Sequence, residues 1–302
     1  MRAVLLTGYG GLDQLELRND VPEPVAGPGE LKVRVAATSV NPVDWKIRSG
    51  ANRQRSNLKF PAVLGRDASG EVVAVGDGIG NFRVGDKVLG LVEHAYAEYV
   101  VAAQGAWAPL PASMNIVDAA ALPLVTLTGS QLVDEAVQPR PGDVVLVTGA
   151  LGSVGRAAVF AARSRGAEVL AGVRGTQKDE AAKLNVDVVA LDDDAALARL
   201  GRLDSIADTI DGETLQKLLD KVKQGGTVGS VLGEPRGAKE RGLIARAFVN
   251  HPDSERLAAL AQAVANGELV IPIVARLPLE QVREAQAMSE KGVGGKIVLR
   301  LH

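Results

Sequence analysis

At 302 residues the chain is long enough for two domains with separate cores, because single cores stop growing at about 250–300 residues, so two lobes and a cleft are expected. Apolar residues make up 46% and charged residues 23%, and no run approaches the roughly 18 unbroken apolar residues of a membrane helix, which points to a soluble globular protein with no membrane span. The net charge of −2 comes from interspersed signs, which argues against a nucleic-acid partner. With no cysteine and only a short apolar start, neither a disulfide framework nor a signal peptide is read, and a cytoplasmic location is the default. Closed zinc sites are usually built on thiolates. The three histidines, His94, His251 and His302, have no helical ligand spacing and read as surface or packing residues, so no metal is expected.

Up to about residue 110, short β-branched runs such as LKVRVAATSV, SGEVVAVG and DKVLGLV alternate with Gly/Pro turns, the pattern of an antiparallel, barrel-like β lobe. Ile116 to Val137 then reads as helix, broken by QPRPGD. From there strand and helix alternate: DVVLVTGA, a helix through SVGRAAVFAARSRG, strand EVLAGVR, a helix near KDEAAKL, then DVVAL, SIADTI, the helix around TLQKLLDKV, GTVGSVL and LIARAFV. Continuously apolar strands joined by helices belong to a parallel sheet covered on both faces. The tail, VIPIVARL, LEQVREAQAMSE and GKIVLRL, returns to the first lobe. The expected division is a β-rich domain of residues 1–115 and 266–302 and an α/β, doubly wound Rossmann domain of residues 116–265.

Between the strand at 143–150 and the following helix lies Thr-Gly-Ala-Leu-Gly-Ser-Val-Gly, with Gly149, Gly152 and Gly155 at every third position. In such a turn the first glycine permits the bend, the second admits a pyrophosphate and the third lets helix and strand pack closely. The helix N-terminus offers N–H groups and a positive dipole end. The commonest fingerprint has its first two glycines two residues apart, so spacing alone also fits a plain turn. The strand before, the helix after and the repeated βα units carry the dinucleotide reading. An NAD site usually has an acid about twenty positions on, for the ribose 2′-hydroxyl, whereas a 2′-phosphate needs cations. Here the second strand ends in Arg174, followed by Lys178, and no acid precedes Asp179, which favours NADPH with Arg174 and Lys178 on the phosphate. The alternative is two solvated cations near a helix start.

Several segments in order, TSVNPVDWKIRSG, PAVLGRDASGEVVAVG, RVGDKVLG, YAEYVV, AAALPLVTLTGSQLV, the glycine loop and GKIVL, resemble the medium-chain dehydrogenase/reductase superfamily and, within it, the zinc-independent quinone oxidoreductases. The resemblance spans almost the whole chain. It implies a chaperonin-10-like (GroES-like) catalytic domain beside the Rossmann domain, with NADPH in the cleft. Zinc members carry Cys near the position of Asn41 and His-Glu where this chain has Arg66-Asp67. Their absence implies no zinc and an acceptor that is already electrophilic, a quinone or an activated alkene, since zinc serves as the Lewis acid in alcohol oxidation.

The same resemblance makes Asn41 the candidate catalytic residue beside nicotinamide or substrate, a donor for charge developing on a carbonyl or quinone oxygen. It places Asp44, Trp45, Lys46 and Arg48 along the mouth of the site, although related reductases often have tyrosine at the position of Lys46. Thr126 and Thr128 are implied to place the nicotinamide amide and ribose. Ser153, Val154, Lys178, the strand end Gly229-Ser230-Val231-Leu232 and Lys296 are implied to contact cofactor. A tyrosine common after the position of Leu191 is replaced by Asp192 to Asp194, read as a solvated loop. Tyr9 and Tyr96 are further candidate proton donors or, more simply, sheet aromatics. An enoyl reductase of fatty or polyketide type, or a non-enzymatic NADPH-binding redox sensor, fits the same features. By analogy a homodimer is expected, with GTVGSVL or LIARAFV as the joining edge strand.

Overall fold

The alternating runs and βα repeats of the sequence resolve, in a computed structural model that describes residues 1–53 and 58–301, into two units. His302 lies outside the described residues. In chain order the elements are β1 (Ala3–Leu6), β2 (Leu15–Arg18), β3 (Glu30–Val40), α1 (Pro42–Arg48), β4 (Ala62–Val63), β5 (Asp67–Val75), β6 (Lys87–Leu91), β7 (Tyr99–Ala103), β8 (Trp107–Pro109), α2 (Ile116–Ala119) and α3 (Pro123–Gln131). They continue as β9 (Val144–Thr148), α4 (Ser153–Ser164), β10 (Glu168–Val173), α5 (Lys178–Ala181), β11 (Asp187–Ala190), α6 (Asp194–Arg199), β12 (Leu203–Asp208), α7 (Gly212–Leu219), β13 (Val222–Ser230) and β14 (Ile244–Ala247). The chain ends with α8 (Ser254–Ala265), β15 (Ile273–Pro278), α9 (Val282–Lys291) and β16 (Lys296–Arg300).

The first unit comprises residues 1–124 and 252–302. Its main sheet has the order β15-β16-β3-β5-β6-β8, with β7 also on β3, and β1 lies between β2 and β4 in a second sheet. Leu31, Val33 and Val35 alternate inward along β3 and are fully buried with Leu6, Leu15, Val72, Trp107 and Leu299, the period-2 pattern of a half-buried strand. The tail joins this unit: β16 runs antiparallel to β3 in the register Val40↔Ile297.

The second unit, residues 125–251, holds the parallel sheet β11-β10-β9-β12-β13-β14. Val145 and Val147 of β9 pack with α4 on one face, while Leu146 packs with Leu215 and Leu218 of α7 on the other. Both faces are covered, as a continuously apolar strand requires. The fold is therefore α/β, a doubly wound Rossmann sheet plus a separate β-rich unit. β13 lies between β12 and β14, so of the two runs considered for a joining edge only LIARAFV sits on one.

The junctions fall at 124/125 and 251/252, where the sequence pattern places them at 115/116 and 265/266. Helix α8 accounts for much of the difference: Ser254 Oγ donates to the Trp107 carbonyl of β8 at 2.6 Å, which fastens the helix to the first unit. The helix expected from Ile116 to Val137 is also interrupted, because Pro123 cannot continue a preceding helix. It starts α3, which passes into a π-helical stretch at Leu132–Val137 and stops at Gln138 with φ +55°.

Candidate active site

In the second unit, β9 delivers Thr148 to the carboxyl end of the sheet and the chain turns at Gly149, whose φ is +61°. A Cβ at Gly149 would lie 2.5 Å from Thr209 Oγ1, and one at Gly155 would lie 2.1 Å from the Gly149 carbonyl oxygen. Any larger residue at Gly155 would lift α4 off the turn. Gly152 N–H donates to Gly149 O at 2.9 Å, and Gly152 is the N-cap of α4 with no side-chain cap. The first-turn N–H groups of an α-helix have no partner within the helix, so the twelve-residue α4 presents the donors of Ser153, Val154 and Gly155 with its positive dipole end. Arg156 braces this turn from below: Nε donates to Leu151 O at 3.1 Å and Nη2 pairs with Glu180 at 3.2 Å.

Gly129 brings α3 against α4, since a Cβ there would lie 2.3 Å from Val154 O. Thr126 and Thr128, on the preceding turn of α3, are both buried, and Thr128 Oγ1 accepts from Asn250 Nδ2 at 2.8 Å. Arg174 and Lys178 are exposed beyond the end of β10. The acidic run is more than a solvated loop. Asp192 accepts from Gly175 N–H at 2.7 Å, Asp193 caps α6 through the Ala195 and Ala196 N–H groups, and Asp194 pairs with Lys217 at 2.8 Å. At the end of β13, Gly229 packs under the 132–137 helix, with Val137 Cγ2 3.0 Å from where a Cβ would be; Val231 is half-buried and Leu232 exposed.

In the first unit, strand register gathers a different cluster. Val40↔Ile297 sets Lys296 beside Asn41, and Thr38↔Ala68 sets Asp67 beside Ser39. Lys296 Nζ donates to Asn41 Oδ1 at 2.5 Å and Val40 O at 3.3 Å, and pairs with Asp67 Oδ2 at 3.2 Å. Asn41 Nδ2 and Ser39 Oγ donate to the same oxygen of Asp67 at 2.7 and 2.5 Å, while Asp67 Oδ1 accepts from Leu124 N–H. Asn41 and Asp67 are fully buried and Lys296 nearly so. The oxygens of Asn41 and Asp67 thus already hold an ammonium, and among the described residues no thiolate or imidazole joins them, so these residues do not fit zinc. Among the described residues no group of three or more His, Cys, Asp or Glu is placed to hold a metal ion. His94 and His251 lie on the surface, His251 beside Glu135 at 3.0 Å.

Asp44 and Arg48 do not line a mouth. Asp44 Oδ2 accepts from Asn41 N–H at 2.8 Å and from Tyr96 OH at 2.9 Å, and it is buried. Burial pushes its carboxyl from 3.8 up to about 6, partly offset by those two hydrogen bonds. Burial likewise raises the Tyr96 hydroxyl well above its ordinary value, with the Asp44 charge adding to it, which makes Tyr96 a support of α1 rather than a ready proton donor. Arg48 turns inward to Gln286 Oε1 at 2.8 Å, Gly10 O at 2.8 Å and Glu290 at 3.1 Å, because a guanidinium so covered needs acceptors for its donors. Trp45 and Lys46 stay half-buried on α1, with the Lys46 ammonium 5.7 Å from the Trp45 ring centroid. Residues that sequence reasoning left without a site role are Asp67 and Gln286 here and Asp208 in the second unit. Their one signal is a polar side chain in an otherwise apolar strand or helix face.

Residues 27–112 match the alcohol dehydrogenase GroES-like domain family and residues 182–299 the zinc-binding dehydrogenase family. A quinone oxidoreductase of Mus musculus is 31% identical over 100% of this chain and 98% of its own. The chain belongs to the quinone oxidoreductase family of the medium-chain dehydrogenases/reductases. Among solved structures, the quinone oxidoreductase of Coxiella burnetii superposes with a TM-score of 0.89 at 28% identity, covering 100% of this chain and 99% of that one. A structure described as an NAD-dependent alcohol dehydrogenase reaches 0.86 at 29% identity with full coverage of both chains. The protein is thus an oxidoreductase of a family that binds NAD(P), and no helix among the described residues is long and apolar enough to cross a membrane.

Proposed function

We propose that the protein is a zinc-independent, NADPH-dependent reductase that passes hydride to a quinone or to an alkene conjugated with a carbonyl. The observation that carries the reading is the uncapped N-terminus of α4 behind Gly149, Gly152 and Gly155, joined to a neighbouring strand that ends in exposed Arg174 and Lys178 rather than an acid. The N–H groups of Ser153, Val154 and Gly155 would hold the pyrophosphate, Arg174 and Lys178 the 2′-phosphate, and Thr126, Thr128, Gly229, Val231 and Leu232 the nicotinamide riboside. When bound, the reduced cofactor supplies the hydride, and one proton completes reduction of the acceptor.

Asn41 is the proposed donor toward the acceptor oxygen. Its own oxygen is taken by Lys296 and one N–H by Asp67, which leaves the second N–H of its amide to give. Lys296, Asp44 and Arg48 act in this reading as supports of Asn41 and α1, and Trp45 and Lys46 as the residues nearest the acceptor. The test is 1,4-naphthoquinone-dependent oxidation of NADPH in the presence of EDTA, run beside an enone panel. Activity lost to the chelator, or a preference for NADH, overturns the proposal, and tight binding with no turnover on any acceptor favours a sensor. Arg174→Ala/Lys178→Ala is expected to weaken NADPH about tenfold or more while leaving NADH nearly unchanged; equal loss for both removes the phosphate role.

A further inference from the structure

Three adjacent parallel strands of the second unit end around one carboxylate. Asp208, the last residue of β12, is fully buried, and among the described residues no cation pairs with it. Neutral donors surround it instead. Its Oδ1 accepts from Thr148 Oγ1 at 2.8 Å, at the end of β9, and its Oδ2 from Ser230 Oγ at 2.7 Å, at the end of β13. The N–H of Ile210 and that of Asp211 reach the same carboxylate at 3.3 and 3.2 Å. A buried carboxylate is costly unless such donors satisfy it, and the geometry they impose reaches past it on both sides.

On one side Thr148 Oγ1 also accepts from Thr209 N–H at 2.9 Å, and Thr209 Oγ1 donates back to Thr148 O at 2.7 Å. Thr148 is thereby fixed from both ends immediately before Gly149, whose missing side chain leaves room for that same Thr209 hydroxyl. On the other side Ser230 Oγ accepts from Leu232 N–H at 3.1 Å, and Val231 N–H reaches Asp208 O at 3.3 Å. The turn between these two arms holds Asp211 at φ +53°, a conformation that a non-glycine residue keeps only when its surroundings impose it.

We propose that Asp208 is a positioning residue for the dinucleotide: one buried carboxylate sets both the root of the glycine loop, through Thr148, and the backbone of Val231 and Leu232, through Ser230. The inference rests on the proposed NADPH reading, because it assigns the two arms to the two ends of one cofactor. Through the Thr148 arm it fixes the N–H groups that meet the pyrophosphate, and through the Ser230 arm the strand end that meets the nicotinamide. Neither hydroxyl needs to touch the cofactor for this.

The two arms can be cut separately. Thr148→Val is expected to raise the Kd of NADPH and of 2′-phospho-ADP-ribose, a fragment without nicotinamide, by about tenfold, the scale on which small misplacements act. Ser230→Ala is expected to leave the fragment's Kd within about twofold and to lower kcat at saturating NADPH about tenfold. Asp208→Asn should show both effects. Hydrogen exchange without cofactor supplies an independent readout: in Asp208→Asn the amides of 149–152 and 231–232 should exchange faster than in wild type, with 244–247 unchanged. Variants that only lower the unfolding midpoint, with Kd, kcat and exchange of the folded protein unmoved, overturn the positioning role. A wild-type protein that binds neither NADPH nor NADH overturns the functional reading and the assignment of the arms to a cofactor, while altered exchange would still show the carboxylate tying the two segments.

Discussion

Each unit buries a carboxylate at the end of a strand, and the two are neutralised in opposite ways. Asp67 in the first unit faces the Lys296 ammonium and shares it with Asn41, whereas Asp208 in the second is met, among the described residues, by hydroxyl and backbone donors alone. A buried ion pair depends on both partners, since losing one leaves a bare charge in a medium that cannot solvate it. A carboxylate held by several neutral dipoles has no single partner of that kind. The first arrangement is rigid but brittle; the second spreads its dependence over three strand ends.

The largest effect expected from that difference is in the first unit. Lys296→Met leaves Asp67 buried without its cation and should cost about 3–5 kcal/mol. Both tryptophans, Trp45 and Trp107, belong to this unit, so urea unfolding followed by tryptophan fluorescence reads it directly. Asp67→Asn/Lys296→Met removes both charges and should recover most of the loss. A double variant as unstable as the single one would break the comparison, because the cost would then come from packing rather than from an orphaned charge.

Asp44 sharpens the same contrast, being buried in the first unit with hydrogen-bond donors and, among the described residues, no cation in contact. Its carboxyl is raised from 3.8 to about 6 in the folded protein, so the folded state holds this proton more tightly than the unfolded chain does. The stabilisation is therefore fully present below about pH 4, is lost as pH rises through about 6, and stays lost above it. A gap of about two pKa units corresponds to a loss on the order of 3 kcal/mol. Asp44→Asn cannot ionise. The wild-type-minus-variant stability, measured by the same fluorescence unfolding, should fall across that window and be level above it; a difference that does not change between pH 4 and 7 rejects the assignment.

Much of the second unit was legible because its signals are local. Apolar runs bounded by glycine place β9 to β14, and the spacing of Gly149, Gly152 and Gly155 marks the turn that the positive φ of Gly149 and the tight seat of Gly155 explain. The buried charges were not legible for the opposite reason. Lys296 and Asn41 are 255 residues apart and meet only through the β16–β3 register, and Arg48 finds Gln286 and Glu290 on a helix near the far end of the chain. A motif comparison ranks such residues by position along the chain, which sets Asp44 and Arg48 beside Trp45 at a surface. Folding sorts them by what can satisfy their polar atoms, and that carries both inward. The Asp208 cluster escaped for a related reason: in SIADTI the aspartate reads as a strand end, and its partners Thr148 and Ser230 lie on two other strands.

The smallest effect belongs to a pair with better geometry than the one at Lys296. Arg276 of β15 makes a two-pronged contact with Asp118 of α2, Nε to Oδ1 at 2.6 Å and Nη2 to Oδ2 at 2.9 Å, yet the two side chains are 45% and 37% exposed. Water solvates both charges when the pair opens, so Arg276→Ala should cost no more than about 1 kcal/mol. In about 1 M salt, where the screening length falls to about 3 Å, the cost should shrink further. Lys296→Met should keep its full effect in the same salt, because ions do not enter the interior. If the exposed pair proves as costly as the buried one, or if salt relieves the buried one, then burial is not what makes the cation of the first unit indispensable, and the contrast with Asp208 loses its physical basis.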